Sequence, residues 1–211
     1  MAQHAQAQRV PARRPPPSRA PWARRLWAVA ALAALAGALA LRGAAAQAQT
    51  PESGGLPTEY TVKAVFLYNF GRYVEWPEAS LAGAPGLFVI GIVGEDAFGG
   101  ALDEIAAKKT IQGHRIVVRR FASPDEYRPP CHILFASRSL TADQHAAVIA
   151  KTGGTGVLVV GETPGFAQQG ATANFFIDEG RVRFEINGDA VRRAQLHMDA
   201  KLLSLGRPVS R

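Results

Sequence analysis

Beyond residue 48, the side chains most able to do chemistry are His114, His132, His145 and His197, the lone Cys131, and the adjacent carboxylates Glu95 and Asp96. No two of these histidines stand four apart, the spacing that would aim both at one ion from a helix. Cys131 and His132 are neighbours on a predicted strand and so point to opposite faces. They cannot grip one metal from one side, and no metal centre or cofactor is expected. The run Gly91 to Gly100 follows a predicted strand and opens a predicted helix. It fits neither G-x-G-x-x-G nor G-x-x-x-x-G-K-[ST], so it is read as a strand–helix turn without a phosphate cradle. Glu95 and Asp96 are read as charges complementing the start of that helix. No G-x-S-x-G elbow supplies a nucleophile. An enzyme is not expected.

The elements that must position these residues follow from hydrophobic period. Val62, Val65, Phe66, Phe70, Tyr73 and Val74 recur at helical spacing behind Thr58, a good N-cap, and Trp76 precedes Pro77. A helix over 58–74 is predicted. Phe66, Phe70 and Tyr73 are assigned to its buried face. Leu87 to Val93, His132 to Ala136 and Val157 to Val160 are unbroken apolar runs, read as strands buried on both faces. Arg115 to Phe121 is a further strand. Helices are expected from Phe98 to Ala107 and from Thr141 to Lys151. Strand–helix alternation of this kind predicts an α/β sandwich, with a mostly parallel central sheet and helices on both faces.

The last third changes period. Ala173 to Ile177 and Arg181 to Asn187 alternate apolar and polar residues around Asp178-Glu179-Gly180. That is a C-terminal antiparallel hairpin. Residues from 188 to 205 predict one or two short helices. Cys131 opens an apolar run and is expected to be a buried, inert thiol.

The N-terminus explains the charge. Arg24 and Arg25 precede an apolar run from Leu26 to Leu41, followed by Ala44 to Ala48 with small-x-small spacing. This is the pattern of a secretory signal peptide, cleaved near Ala46 or Ala48. Residues 1–48 are therefore expected to be a leader that is removed, 49–57 a linker, and 58–209 one α/β domain. The net charge of +7 belongs to the leader, which holds seven of the 24 basic residues and none of the 17 acidic ones. What remains is balanced, 17 against 17, which removes the argument for nucleic-acid binding.

The off-core side of the first helix is where a partner is expected. Tyr68, Arg72, Glu75 and Trp76 lie there or just beyond it, and Phe166 sits in the loop Thr163-Pro164-Gly165-Phe166. Aromatic and arginine side chains are frequent interface anchors. A rival expectation is a small-ligand module, with its crevice near Gly94, Ser137 and Gly161 at the carboxyl ends of the strands.

Tyr60 to Phe70 followed by Val74-Glu75-Trp76-Pro77 resembles the opening helix of the YfiR family. Gly94 to Gly99, Cys131 to Phe135, Pro164 to Ala167, Val182 to Asn187 and Leu202 to Leu205 match in the same order, so the resemblance spans roughly residues 59–209. It implies a periplasmic α/β protein without catalysis that restrains an inner-membrane diguanylate cyclase or sensor by binding its periplasmic part. It also implies release by an outer-membrane lipoprotein, and homodimers. The single cysteine departs from members whose cysteines respond to redox state. Ala171 to Asn174 departs from the Gly-Met-Ile stretch common at that point.

Overall fold

The computed structural model describes residues 58–210. The leader, the cleavage site and the linker 49–57 lie outside the described residues.

Helix α1 (Glu59–Tyr73) begins at Thr58, whose hydroxyl accepts the Thr61 N–H, and carries Glu59 in its first turn. Both features complement the exposed donors of a helix start. Strand β1 (Val74–Glu75), helix α2 (Glu78–Ala82) and strand β2 (Leu87–Val93) follow. Helix α3 (Ala101–Lys108), strands β3 (Thr110–Ile111) and β4 (His114–Phe121), a 3-10 turn (Pro124–Glu126) and strand β5 (Ile133–Ala136) come next. Helix α4 (Ala142–Thr152) has a full capping box: Thr141 Oγ1 accepts from Gln144 N–H, and the Gln144 side chain accepts from Thr141 N–H. The chain ends with β6 (Leu158–Gly161), α5 (Phe166–Gln169), β7 (Ala173–Asp178), β8 (Arg181–Asn187), α6 (Gly188–Arg193), β9 (His197–Met198), α7 (Ala200–Leu205) and β10 (Arg207–Val209).

Eight strands form one sheet in the order β10-β8-β7-β6-β5-β2-β4-β3. From β4 to β7 every pairing is parallel. β7 and β8 form the antiparallel hairpin, turning through Glu179 and Gly180, both at positive φ. Two positive-φ residues in a two-residue loop match the twist of the flanking strands. β1 and β9 pair separately.

Strand β2 shows why its sequence is apolar throughout. Phe88, Ile90 and Ile92 enter the core under α1 and α3, while Val89 and Val93 enter the core under α4 and α5. Both faces are covered, so no polar alternation survives. Gly91 is required between them: a Cβ there would lie 2.6 Å from Leu134 Cδ1. On the α1 side, Phe70 stacks on Phe175 at 5.9 Å and meets Phe184 edge-on at 5.1 Å.

One assignment on α1 is corrected. The buried face is Lys63, Ala64, Leu67, Phe70 and Gly71. Tyr73, expected on it, is exposed, and Val65 is exposed at 47%. Gly71 lets the helix lie close against β3, where a Cβ would come 2.5 Å from Ile111 Cδ1. That approach rotates the neighbouring Tyr73 outward.

Candidate functional site

The strand order reverses at β2, with β4 on one side and β5 on the other, and a crevice at the carboxyl ends there is the usual ligand position. Here it is filled. Ser139 Oγ accepts the Glu95 N–H at 2.9 Å, and a Cβ on Gly94 would meet Ser139 Oγ at 2.7 Å and Leu140 at 3.0 Å. Asp96 accepts from Phe98 N–H at 2.8 Å and from Arg120 Nε at 2.7 Å. The acidic pair therefore anchors the turn into α3.

One strand further along, the first turn of α1 crosses the carboxyl ends of β5 and β6. Lys63 is 1% exposed, and its ammonium contacts the carboxylates of both Glu59 and Glu162. The Glu162 side chain is also 1% exposed and is fully engaged. Its Oε1 accepts from Tyr60 Oη at 3.0 Å and from the Arg138 backbone N–H at 3.1 Å; Oε2 accepts from Arg138 Nη2 at 2.9 Å. Arg138 Nη2 also donates to Glu59 Oε1 at 2.7 Å. Two cations, two carboxylates and one phenol thus neutralise one another. Tyr60 stands between the cations, with Lys63 Nζ 4.5 Å and the Arg138 guanidinium 5.5 Å from its ring centre.

The cluster sets its own protonation. Burial pushes the Glu162 carboxyl up, but the hydrogen bonds from Arg138 and Lys63 outweigh it and hold the carboxyl below its ordinary value. The hydrogen bond from Lys63 lowers Glu59 in the same direction, against a smaller desolvation cost. Burial and the Glu162 charge push the Tyr60 phenol up to about 12. The two carboxyls are held ionised and the phenol protonated at neutral pH, which suits a fastening. Beside it opens a groove of about 630 Å³, walled on its far side by Arg207 over the Phe176 ring. The sequence signal for the cluster was Glu59 and Lys63 at i and i+4, which reads equally well as a solvated helix pair.

Of the five residues expected to meet a partner, three face outward. Arg72 and Glu75 are exposed and Tyr68 is half-buried. The Arg72 guanidinium lies 5.7 Å from the Tyr68 ring and 5.4 Å from the Tyr73 ring. Trp76 and Phe166 are corrected: they are core. Trp76 is 7% exposed, meets Phe88 edge-on at 5.0 Å and donates from Nε1 to His132 O at 3.1 Å. Phe166 is fully buried. Gly165, at φ 82°, turns the chain back so that Phe166 fills the space over Gly161, where a Cβ would sit 2.1 Å from its ring.

His132 is fully buried and its Nδ1 accepts the Val89 N–H at 2.8 Å, so its proton is on Nε2. Cys131 is buried and faces the opposite core. Among the described residues no cluster of three metal-ligating side chains occurs, and no helix is long and apolar enough to cross a membrane.

This is a mixed, mostly parallel α/β sandwich carrying an exposed aromatic–arginine face on its first helix. The chain belongs to the YfiR/HmsC-like family, whose pattern matches residues 60–207. No curated protein matches it. Among solved structures it is similar to a conserved domain protein from Vibrio cholerae O1 biovar El Tor, at 16% identity and TM-score 0.42, over 64% of this chain. It is also similar to the ABC domain in complex with L-Trp from Streptococcus pneumoniae, at 12% identity and TM-score 0.44, over 63% of this chain. The chain spans 58% of the length of each.

Proposed function

We propose that this protein is a periplasmic regulator that represses an inner-membrane diguanylate cyclase or sensor by direct contact, and so modulates cyclic di-GMP signalling. Members of its family regulate diguanylate cyclases and are periplasmic. The observation that carries the reading is the Arg72 guanidinium between the rings of Tyr68 and Tyr73. It stands on a helix whose inner face is fastened to the sheet by Lys63 and Glu162. A rigid helix presenting stacked arginine and tyrosine has the composition of an interface anchor and loses little entropy on binding. Glu75 extends the same face beyond the helix end.

The test is affinity capture of the mature protein from solubilised envelope, with Tyr68→Ala/Arg72→Ala as the control. A diguanylate cyclase or sensor retained by the wild type and released by the double variant supports the reading. Retention of no membrane protein ends it.

A second reading, a small-ligand module, draws on the groove beside Arg138 and on Asn174. The Asn174 Oδ1 is buried against that groove without a hydrogen-bond partner. The filled crevice at Gly94 and Ser137 counts against the site first expected for it.

A further inference from the structure

The partner-facing side of α1 continues into a groove, and we propose that this groove takes an acidic amphipathic helix belonging to the regulated membrane protein. The inference rests on the regulator reading and adds where the partner lies and what it is made of.

Thr61, Val65, Tyr68 and Arg72 follow one another at intervals of four, three and four, so they form one stripe along α1. Its first two members, Thr61 and Val65, face α3. Between the two helices runs a groove of about 380 Å³ with Val65, Phe98, Ala101 and Ile105 along it. Val65 is a β-branched apolar side chain left 47% exposed. A groove with an apolar floor between two helices has the shape that receives the apolar stripe of a third. Helix α3 has eight residues, about 12 Å, which suits a partner helix of two to three turns.

Charge fixes the partner's polarity. Lys108 and Lys109 close one end of the groove. Gln112 Nε2 donates to Gly71 O at 3.1 Å and Val74 O at 2.8 Å, which brings this same turn against the end of α1 that carries Arg72. Among the described residues Arg72 and Lys109 form no ion pair with a carboxylate. Lys108 has one, to Glu104 at 3.5 Å, between side chains each about 70% exposed. Such a pair contributes little and exchanges readily. The nearby Asp103 is engaged by Arg120 at 2.5 Å. Lys108 and Lys109 thus close one end of an apolar groove, Lys108 loosely held by Glu104, and Arg72 on the adjoining end of α1 is followed by the exposed Glu75. The complementary surface is a helix with apolar residues at i, i+3, i+4 and i+7 and carboxylates past the last of them.

The experiment uses the exported protein carrying Val65→p-benzoylphenylalanine, photo-crosslinked to solubilised envelope, with the adduct mapped by mass spectrometry. The same probe at Ile177, an exposed position outside the groove, is the control. The expected result is an adduct from Val65 to a membrane protein, in a segment with helical apolar spacing and Asp or Glu at one end. Its yield falls on the order of tenfold with Lys108→Glu/Lys109→Glu and in about 0.5 M salt. An adduct to a second copy of this chain, to a basic or extended segment, or one insensitive to charge reversal overturns the proposal. If the unsubstituted protein retains a cyclase but Val65 yields no adduct, the groove is wrong and the regulator reading stands. If the unsubstituted protein retains no membrane protein and Val65 yields none, both fall.

Discussion

Lys63 and Glu162 stand 99 positions apart in the chain and meet as a buried ion pair that fastens the first turn of α1 to the carboxyl end of β6. Burying two charges is costly, and their mutual attraction with full hydrogen bonding offsets that cost only while both are present. Lys63→Met or Glu162→Gln should each destabilise the protein by about 1.5–3 kcal/mol, the loss of a charged hydrogen bond, because Arg138 still meets Glu162 and Glu59 still meets Lys63. Lys63→Met/Glu162→Gln should lose much less than the sum of the singles. Urea midpoints of the four proteins check this, and additive losses would show that the pair is not coupled.

The same cluster sets an acid limit. Glu162 and Glu59 are held below their ordinary value of 4.5 in the folded protein. Their stabilisation is complete above that value and is lost as pH falls through the depressed folded values. The stability of the wild type should therefore drop more steeply below pH 4.5 than that of Glu162→Gln. Unfolding midpoints measured down to about pH 3 test it.

His132 acts in a milder window. Burial lowers its pKa from 6.5, and its Nδ1 is already occupied by the Val89 N–H. The folded chain keeps the ring neutral where the unfolded chain takes a proton. Its contribution is complete above 6.5 and declines as pH falls toward the depressed folded value. An NMR titration of the ring should place its midpoint below 6.5. Titration near 6.5 would contradict the burial.

Cys131 should be chemically silent. Burial pushes its thiol up to about 12, so almost no thiolate exists at neutral pH. An aromatic disulfide reagent should label it only after denaturant is added, and the native protein should form no disulfide-linked dimer. Rapid labelling of native protein would refute this.

The surface substitutions should separate binding from folding. Arg72 is exposed and Tyr68 half-buried, so Tyr68→Ala/Arg72→Ala should shift stability by no more than about 1 kcal/mol while abolishing partner capture. A large fall in the unfolding midpoint would assign these residues to the core.

Much of this architecture is written in local sequence signals. Thr58 and Thr141 announced their helices because capping is a local event between a hydroxyl and a backbone N–H three residues on. Leu87 to Val93 announced a covered strand by its unbroken apolar run, and the period-two runs around Glu179 and Gly180 announced the hairpin. The short strands β9 and β10 did not, since pairings of two and three residues exist only through partners 122 to 124 and 22 positions away. Trp76 and Phe166 have sequence neighbours, an aromatic helix end and a Pro-Gly loop, that suit a partner surface equally well. Their burial is decided by His132 and Gly161, which lie far off in sequence. The ion-pair cluster was hidden for the same reason: a lysine among apolar neighbours gains meaning only once Glu162 is found beneath it.

The fastening of α1 also has a consequence in time. Synthesis makes this helix first, yet the carboxylate that secures it and the rings of Phe175 and Phe184 that cover Phe70 are made about a hundred residues later. Contacts so distant in sequence form late and slowly. The helix that bears the binding face is thus seated only when the hairpin near the opposite end of the chain has been delivered. A chain interrupted before β7 lacks that seat, so the finished binding face certifies that the whole domain has been made.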